Sequence, residues 1–401
     1  MNNLKEAEVK NKRVLVRCDF NVPIEEGKVV DDYRITQAMP TIRDLVKREA
    51  KVILVGHLGR PDKQKSFKKE GSYASLKEVV KKEEREDSLK PVYNELEKYF
   101  DNISFVNDCI GKRASRKVGN MEPGDVVLLE NLRYYEDEQK CGDEFSRGLA
   151  ELADIYVNNA FSASHRDHAS ISELPKHLPA FPGYLFERET RILSKIKDKS
   201  EKPMVVIIGG AKIKSKAKAI KYFMKEADYL LVGGKVANSI LAIKGLAQNN
   251  LLPSKEVIDE LEGINLTSQK LHLPVDVVAS SDHENYFRHT PPGKVREEEE
   301  ILDIGPETVE LYGDIIREAK TIVWAGPLGW FENEKFQDGT KLVAQRIIEN
   351  ENSLKVIGGG DTGAALGEFG LRKYIDHASL GGGAMLRFLS EKNMPGLEAL
   401  K

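Results

Sequence analysis

Glycine-rich turns that lead into charged side chains are the strongest chemical signal in this sequence. Residues 353–363 read S-L-K-V-I-G-G-G-D-T-G, an apolar run entering Gly358, Gly359 and Gly360, then Asp361 and Thr362. Glycines lack Cβ, so backbone N–H groups there can come close to a bulky anion. The Ala-Ala-Leu that follows predicts a helix opening at this point. A helix N-terminus offers unpaired N–H donors and a positive dipole end, which suit phosphate. Aspartate has the wrong charge to touch phosphate and the right charge to hold a Mg²⁺ that does. Residues 207–216 (I-I-G-G-A-K-I-K-S-K) repeat the pattern with Gly209 and Gly210, then Lys212 and Lys216. Those lysines lie four apart and on a helix would share one face. Residues 229–234 (Y-L-L-V-G-G) repeat it again with Gly233 and Gly234. Three such turns predict loops converging at the carboxyl end of a parallel sheet, where open α/β folds bind ligands.

A second group of residues, in the first half, is cationic. R-C-D-F-N-V-P (17–23), D-Y-R-I (32–35), G-H-L-G-R-P (56–61), L-E-N-L-R-Y (129–134) and N-A-F-S-A-S-H-R-D-H (159–168) fall near predicted strand ends. They deliver Arg34, His57, Arg60, Arg133 and Arg166. Any one of these arginines is explained as well by a surface salt bridge. Together they describe a pocket for a small, multiply charged anion, since Arg makes bidentate contacts to phosphate and carboxylate. Asp19 and Asn21 are placed to orient these groups or to bond ligand hydroxyls.

The elements that must position these residues follow a βαβ rhythm. Strands are expected at 13–17, 51–55, 103–106, 126–129 and 155–158, then at 204–208, 229–232, 271–274, 321–324 and 354–357. Helical stretches fall between, as at 40–49, 143–153 and 339–350, the pattern of parallel sheets. The fold class expected is α/β: two Rossmann-like domains, each a parallel sheet flanked by helices, joined by a hinge. At 401 residues the chain exceeds one core and suits two domains. The boundary is placed at 175/176, with residues 185–199 as an interdomain helix. Residues 62–87, rich in lysine and glutamate, read as a solvated excursion. A net charge of −3 argues against bulk nucleic-acid binding. Cys18, Cys109 and Cys141 form no C-x-x-C pair, which points to a reducing cytosol and no zinc site. The N-terminus has no signal-peptide pattern, and no apolar run reaches the roughly 20 residues of a membrane span. The expected location is cytoplasmic.

Taken in order, the segments resemble the phosphoglycerate kinase family nearly end to end. R-C-D-F-N-V-P, G-H-L-G-R-P, E-N-L-R-Y, S-H-R-D-H, G-G-A-K, D-I-G-P (303–306), G-P-L-G-W-F-E (326–332), G-G-G-D-T and G-G-G-A (381–384) occur in the family's order. The resemblance implies an N-terminal domain, 1–175, that holds 3-phosphoglycerate or 1,3-bisphosphoglycerate through Asp19, Asn21, Arg34, His57, Arg60, Arg133 and Arg166. Residues 388–401 are expected to pack back on it. It implies a C-terminal domain, 176–387, that holds Mg-ADP or Mg-ATP. There Gly209, Gly210, Gly233 and Gly234 would line the adenine side, with Pro327 near and Glu332 on the ribose. Lys216, Gly358, Gly359, Gly360 and Thr362 would meet the phosphates, and Asp361 would ligate Mg²⁺. Arg34 and Lys212 would flank the phosphoryl group in flight, with Lys216 as a third catalytic group. The family's members are often monomers, and the sequence leaves a dimer open.

The family's reaction passes a phosphoryl group between an acyl phosphate and ADP, with a carboxylate as acceptor in reverse, so no general base is needed. The residues agree, because no Ser-His or Cys-His arrangement is placed for nucleophilic work. Catalysis must then come from alignment and from neutralising a metaphosphate-like transition state. With half-sites on separate domains, a hinge closure must join them and exclude water. The chain departs from the family at Ala325 (usually Asn), Ser215 (commonly Asp), Leu380 (Thr), Met385 (Ser) and Arg387 (typically acidic). The lost Asn removes an amide donor, about 1 kcal/mol of nucleotide affinity. These changes keep a second reading open, a weakly active or non-catalytic paralogue that binds phosphoglycerate or nucleotide. Gly358, Gly360 and Gly363 also satisfy G-x-G-x-x-G, the dinucleotide fingerprint. That motif usually opens a Rossmann half and here falls last, and Asp361 would repel a metal-free pyrophosphate.

Overall fold

The computed structural model describes residues 2–61, 68–69, 72–73, 87–247, 251–282, 286–391 and 393–401. The expected excursion at 62–87 lies almost wholly outside the described residues. Contacts divide the chain into two compact units, Met1–Arg191 with Asn393–Lys401, and Ile192–Lys392. The boundary therefore falls inside the helix Tyr184–Lys199 and not at 175/176. The physical reason is a strand beyond the expected boundary: Ala180–Pro182 pairs in parallel with Ile155–Asn158 and so belongs to the first sheet. Only the last nine residues return to the first unit, where the Gly396 N–H donates to the Ser164 carbonyl at 2.9 Å. The helix Gly382–Ser390 stays with the second unit.

The first unit's sheet has six parallel strands in the order Ala180–Pro182, Ile155–Asn158, Arg13–Arg17, Lys51–Val55, Val126–Leu129, Ile103–Val106. Its inner strands are continuous apolar runs because helices cover both faces. Val14, Val16, Val52, Leu54, Val126 and Leu128 join Ile35, Ile42 and Leu45 in one core. Those last three lie on the helix Tyr33–Lys47, which starts seven residues earlier than expected and runs through Pro40. Its buried positions recur at helical spacing, and their burial outweighs the roughly 3 kcal/mol a mid-helix proline costs. The early start puts Arg34 in the first turn.

The second unit's main sheet is also six-stranded and parallel, ordered Leu271–His272, Tyr229–Val232, Met204–Ile208, Thr321–Ala325, Leu354–Gly358, His377–Ser379. Numbered along the chain this is the Rossmann order 3-2-1-4-5-6. It opens a crevice at the carboxyl ends of the first and fourth strands, where the direction of winding reverses. A smaller antiparallel sheet, Phe287–Thr290, Val277–Ser280 and Glu300–Ile304, was not anticipated from sequence. Its outer strands carry charged or polar residues among the apolar ones, Arg288 and His289 in one and Glu300 and Asp303 in the other, so they lack the continuous apolar runs that identified the others. Asp276 anchors this sheet to the helix Pro306–Arg317. Its buried carboxylate accepts N–H bonds from Glu307 (3.1 Å) and Thr308 (2.8 Å) and the Thr308 hydroxyl at 2.7 Å. Replacing Asp276 by Ala removes this cap and leaves buried donors unpaired, so thermal unfolding should show a loss of about 2 kcal/mol.

Candidate active site

In the first unit, the parallel strands deliver their following loops to one end of the sheet. Arg17 ends the central strand, and Cys18 and Asp19 continue from it. The Asp19 carboxylate is buried, forms an ion pair with Arg34 and accepts from the Ser162 hydroxyl. Asn21 accepts the Gly59 N–H at 2.8 Å, which fixes the loop carrying Arg60. Arg133 donates to the Gly59 carbonyl, and its own loop is held by Asn131, which accepts the Arg133 N–H at 3.0 Å. His57 lies behind these groups. Its Nδ1 is 3.1 Å from an Arg17 guanidinium nitrogen, which can only donate, so the ring is neutral with its proton on Nε2. Burial first, then Arg17, Arg133, Arg166 and Arg34, hold its pKa well below the ordinary range. Burial, with Arg166 and Arg17 beside it, brings Arg133 down to about 10. Burial and Arg60 likewise lower Arg166.

All seven expected residues of this half-site therefore come together. Arg17 joins them unforeseen, because it is fully buried and its strand position reads as core. It donates to the Ser170 hydroxyl at 2.9 Å, and Ser170 donates to the buried Glu138 at 2.7 Å. Arg133 and Arg166 are lowered first by burial and further by neighbouring arginines, which fits cations gathered with less than matching negative charge. The buried Nε of Arg133 has no hydrogen-bond acceptor among the described residues. A cup of this kind is completed by an anion with several oxygens.

In the second unit, the glycine turns meet at the carboxyl ends of Met204–Ile208 and Thr321–Ala325. The Gly210 N–H donates to the Pro327 carbonyl at 2.6 Å, the Gly234 N–H to Leu328 at 2.8 Å and the Gly209 N–H to Ala325 at 3.0 Å. These approaches require glycine: a Cβ on Gly209 would stand 2.1 Å from the Pro327 oxygen, and Gly326 has φ +97°. Beside the turns lies a cavity of about 350 Å³ lined by Gly210, Gly234, Pro327, Glu332 and Asp361 of the expected residues, together with Ile301, Leu302 and Trp330. Asp361 stands exposed in the first turn of the helix Gly360–Glu368, whose N-cap is Gly359.

Several expected contacts are placed differently. Lys212 and Lys216 do not share a helix face, because Ile213–Ser215 forms a 3-10 turn and the α-helix opens at Ala217. Lys212 is exposed, whereas Lys216 turns inward, and its ammonium donates to the Gly209 carbonyl. Burial lowers its pKa to about 8, opposed by Asp361. Gly233 packs behind the turn against Leu328, and Gly358 against Met385, so both shape loops and do not line the cavity. The Thr362 hydroxyl is buried, accepting the Gly326 N–H at 2.7 Å and donating to Gly358 at 3.2 Å. It ties two loops together. Ala325, Leu380 and Met385 are all buried near this end of the sheet. Ser215 bonds back to the Lys212 carbonyl, and Arg387 pairs with Glu391 at 2.8 Å. Asp303, from D-I-G-P, is a buried brace that accepts the Gly339 N–H at 2.7 Å and abuts Gly329.

Comparison with known proteins decides the family. A family model described as phosphoglycerate kinase matches residues 4–392. The chain belongs to the phosphoglycerate kinase family. It is 41% identical to the phosphoglycerate kinase of Moorella thermoacetica over 408 residues, covering 99% of this chain and 98% of that protein. It is 38% identical to that of Dictyoglomus turgidum, covering 100% and 98%. Among solved structures it resembles the phosphoglycerate kinase of Coxiella burnetii (TM-score 0.77, 32% identity, 99% and 98% coverage). It also resembles that of Pyrococcus horikoshii (TM-score 0.81, 28% identity, 100% and 98% coverage). Among the described residues no helix is long and apolar enough to cross a membrane.

The depressed Lys216 value gives a pH signature. Below about 8 the ammonium is charged and suits a phosphate; above it the attraction fades. Affinity for ADP, measured by calorimetric titration, should weaken from pH 7 to pH 9.5, and Lys216→Met should be weaker throughout and lose most of that dependence. Stability runs the other way. The folded chain binds fewer protons at this site than the unfolded chain between about 8 and the ordinary 10.5, so the cost of burying the charge is relieved as pH rises through that window.

Proposed function

We propose that this chain is a working phosphoglycerate kinase, catalysing reversible Mg-dependent phosphoryl transfer from 1,3-bisphosphoglycerate to ADP to give 3-phosphoglycerate and ATP. The observation that carries this reading is the complete cationic cup around His57, in a chain whose relatives bear that name along their full length. The first unit is the phosphoglycerate side and the second the nucleotide side.

Arginine forks fit the phosphate and carboxylate of phosphoglycerate, with Arg133 offering an unpaired buried N–H and Asp19 holding Arg34 in place. Neutral His57 donates one hydrogen bond from Nε2 without adding charge. In the second unit the base and ribose occupy the cavity, Glu332 accepts from ribose hydroxyls, and the phosphates run toward Lys216 and the N-terminus of Gly360–Glu368. Asp361 is a lone exposed carboxylate at that terminus, which fits Mg²⁺ arriving with the nucleotide and held by one protein oxygen, phosphates and water. When bound, the ion supplies charge neutralisation on the phosphates. Arg34 and Lys212 do the same for the transferred group from this chain's own side chains. A carboxylate is its own nucleophile, so no proton is removed at the acceptor oxygen. Direct transfer requires both ligands to meet, a demand of the chemistry itself.

The apolar departures Ala325, Leu380 and Met385 favour no second reading, because they are packed and leave the glycine turns and Asp361 in place. The direct test is ATP formation from 1,3-bisphosphoglycerate and ADP with and without Mg²⁺. Nucleotide binding with no turnover would reject the kinase. Arg34→Ala and Lys212→Ala should each lower kcat by about a hundredfold or more while changing KM by severalfold at most, following the scale of lost transition-state charge contacts. A pure KM effect would contradict their roles.

A further inference from the structure

One buried carboxylate behind the cup meets no ligand in the reading above. Glu138 lies in the one-turn helix Glu136–Gln139, just past the Leu132–Tyr134 turn that carries Arg133, and it is fully buried. A buried acid is costly unless its oxygens are satisfied. Both are: Oε1 accepts the Ser170 hydroxyl at 2.7 Å, and Oε2 accepts the Ser170 N–H at 2.9 Å. His168 Nδ1 stands 3.7 Å from Oε1. Burial pushes the carboxyl pKa up, but His168, Arg17 and Ser170 outweigh it and hold it below the ordinary range. An amide at this position would offer one acceptor to two donors.

The bonds beyond Ser170 all run one way. The Arg17 Nε–H donates to the Ser170 oxygen at 2.9 Å, and because arginine only donates, the hydroxyl proton must point to Glu138. A second Arg17 nitrogen donates to His57 Nδ1 at 3.1 Å, which leaves the ring proton on Nε2. The third donates to the Cys18 carbonyl, so the guanidinium is fixed at every nitrogen. Arg17, Ser170 and Glu138 are each no more than 1% exposed, and water cannot replace any of these bonds. A neutral imidazole can carry its proton on either nitrogen, and the wrong choice turns a lone pair toward an anionic oxygen. The other charged groups acting on His57, namely Arg34, Arg133 and Arg166, are cations and accept no bond from either nitrogen.

We propose that Glu138 and Ser170 are positioning residues, which through Arg17 hold the His57 ring in one orientation and one tautomer with Nε2–H presented to the anion in the cup. This rests on the cup being the phosphoglycerate site. The relay touches neither nucleotide nor the transferred group, so it acts on binding of one substrate and leaves the chemical step alone.

The test compares the full chain with Ser170→Ala, Glu138→Gln and the double variant, each also built on His57→Ala. Nitrogen–proton correlation spectra of the imidazoles should show the His57 proton on Nε2 in the unaltered chain and a second, Nδ1–H population in both single variants. Their KM for phosphoglycerate should rise about threefold to tenfold, the scale of one hydrogen bond, with kcat and the KM for ADP within about twofold. The double variant should be no worse than the poorer single one, because both changes cut one chain. On His57→Ala neither change should raise KM further. An unaltered His57 tautomer in Ser170→Ala overturns the proposal, as does a rise in KM that persists undiminished on His57→Ala. A merely structural role gives that second result, with a lower unfolding temperature and both substrates' KM moving together. Ser170→Ala keeps the N–H bond to Glu138, so it decides the matter alone should Glu138→Gln not fold. Failure of the unaltered chain to form ATP would defeat the kinase reading alone, and the His57 spectrum would still decide the relay.

Discussion

Like-charge repulsion is the constraint around which the first unit is organised. Arg17, Arg34, Arg60, Arg133 and Arg166 act on one another or on His57 at short range, and burial strengthens every such repulsion. Such an arrangement persists only where the backbone leaves the side chains no retreat. Parallel strands buried on both faces supply that rigidity, and the carboxylates of Asp19 and Glu138 offset part of the charge, Glu138 through the Ser170 hydroxyl. What remains uncompensated is affinity held ready for an anion. In the proposed reading, binding an anion relieves part of that repulsion as well as adding contacts.

The second unit solves a different problem by the same route. In the proposed reading the ligand's phosphates are approached by backbone, and the fold brings three glycine-bearing loops within van der Waals distance of one another. Absent side chains achieve this at Gly209 and Gly326, where a Cβ would collide with the facing main chain. Thr362 then laces Gly326 to Gly358, and Asp303 fixes the loop around Gly329 to the helix Asp338–Glu349. These residues touch no ligand in the proposed reading. They decide where the residues that do touch it can stand.

Most strands and their order of chemistry were legible because continuous apolar runs ending in glycine or arginine are distinctive in a parallel sheet. Elements that broke this rule were lost: Ala180–Pro182 sits in a proline-bearing stretch, and Phe287–Thr290 carries Arg288 and His289. Pro40 misled in the opposite sense, since a helix start was read where tertiary packing carries the helix through. The Lys212–Lys216 spacing implied one face, and a single 3-10 turn separated their fates.

The sequence alone determined the family, the two-unit α/β plan and the pool of site residues, because motif order and residue type are properties of the chain itself. Tertiary structure alone decided that Arg17 belongs to the cup, that Lys216 is buried and Lys212 exposed, and that Thr362 braces loops. It also placed Trp330 on the cavity wall. These are matters of which side chain loses its water and which neighbour it then faces, and neither is written in linear spacing.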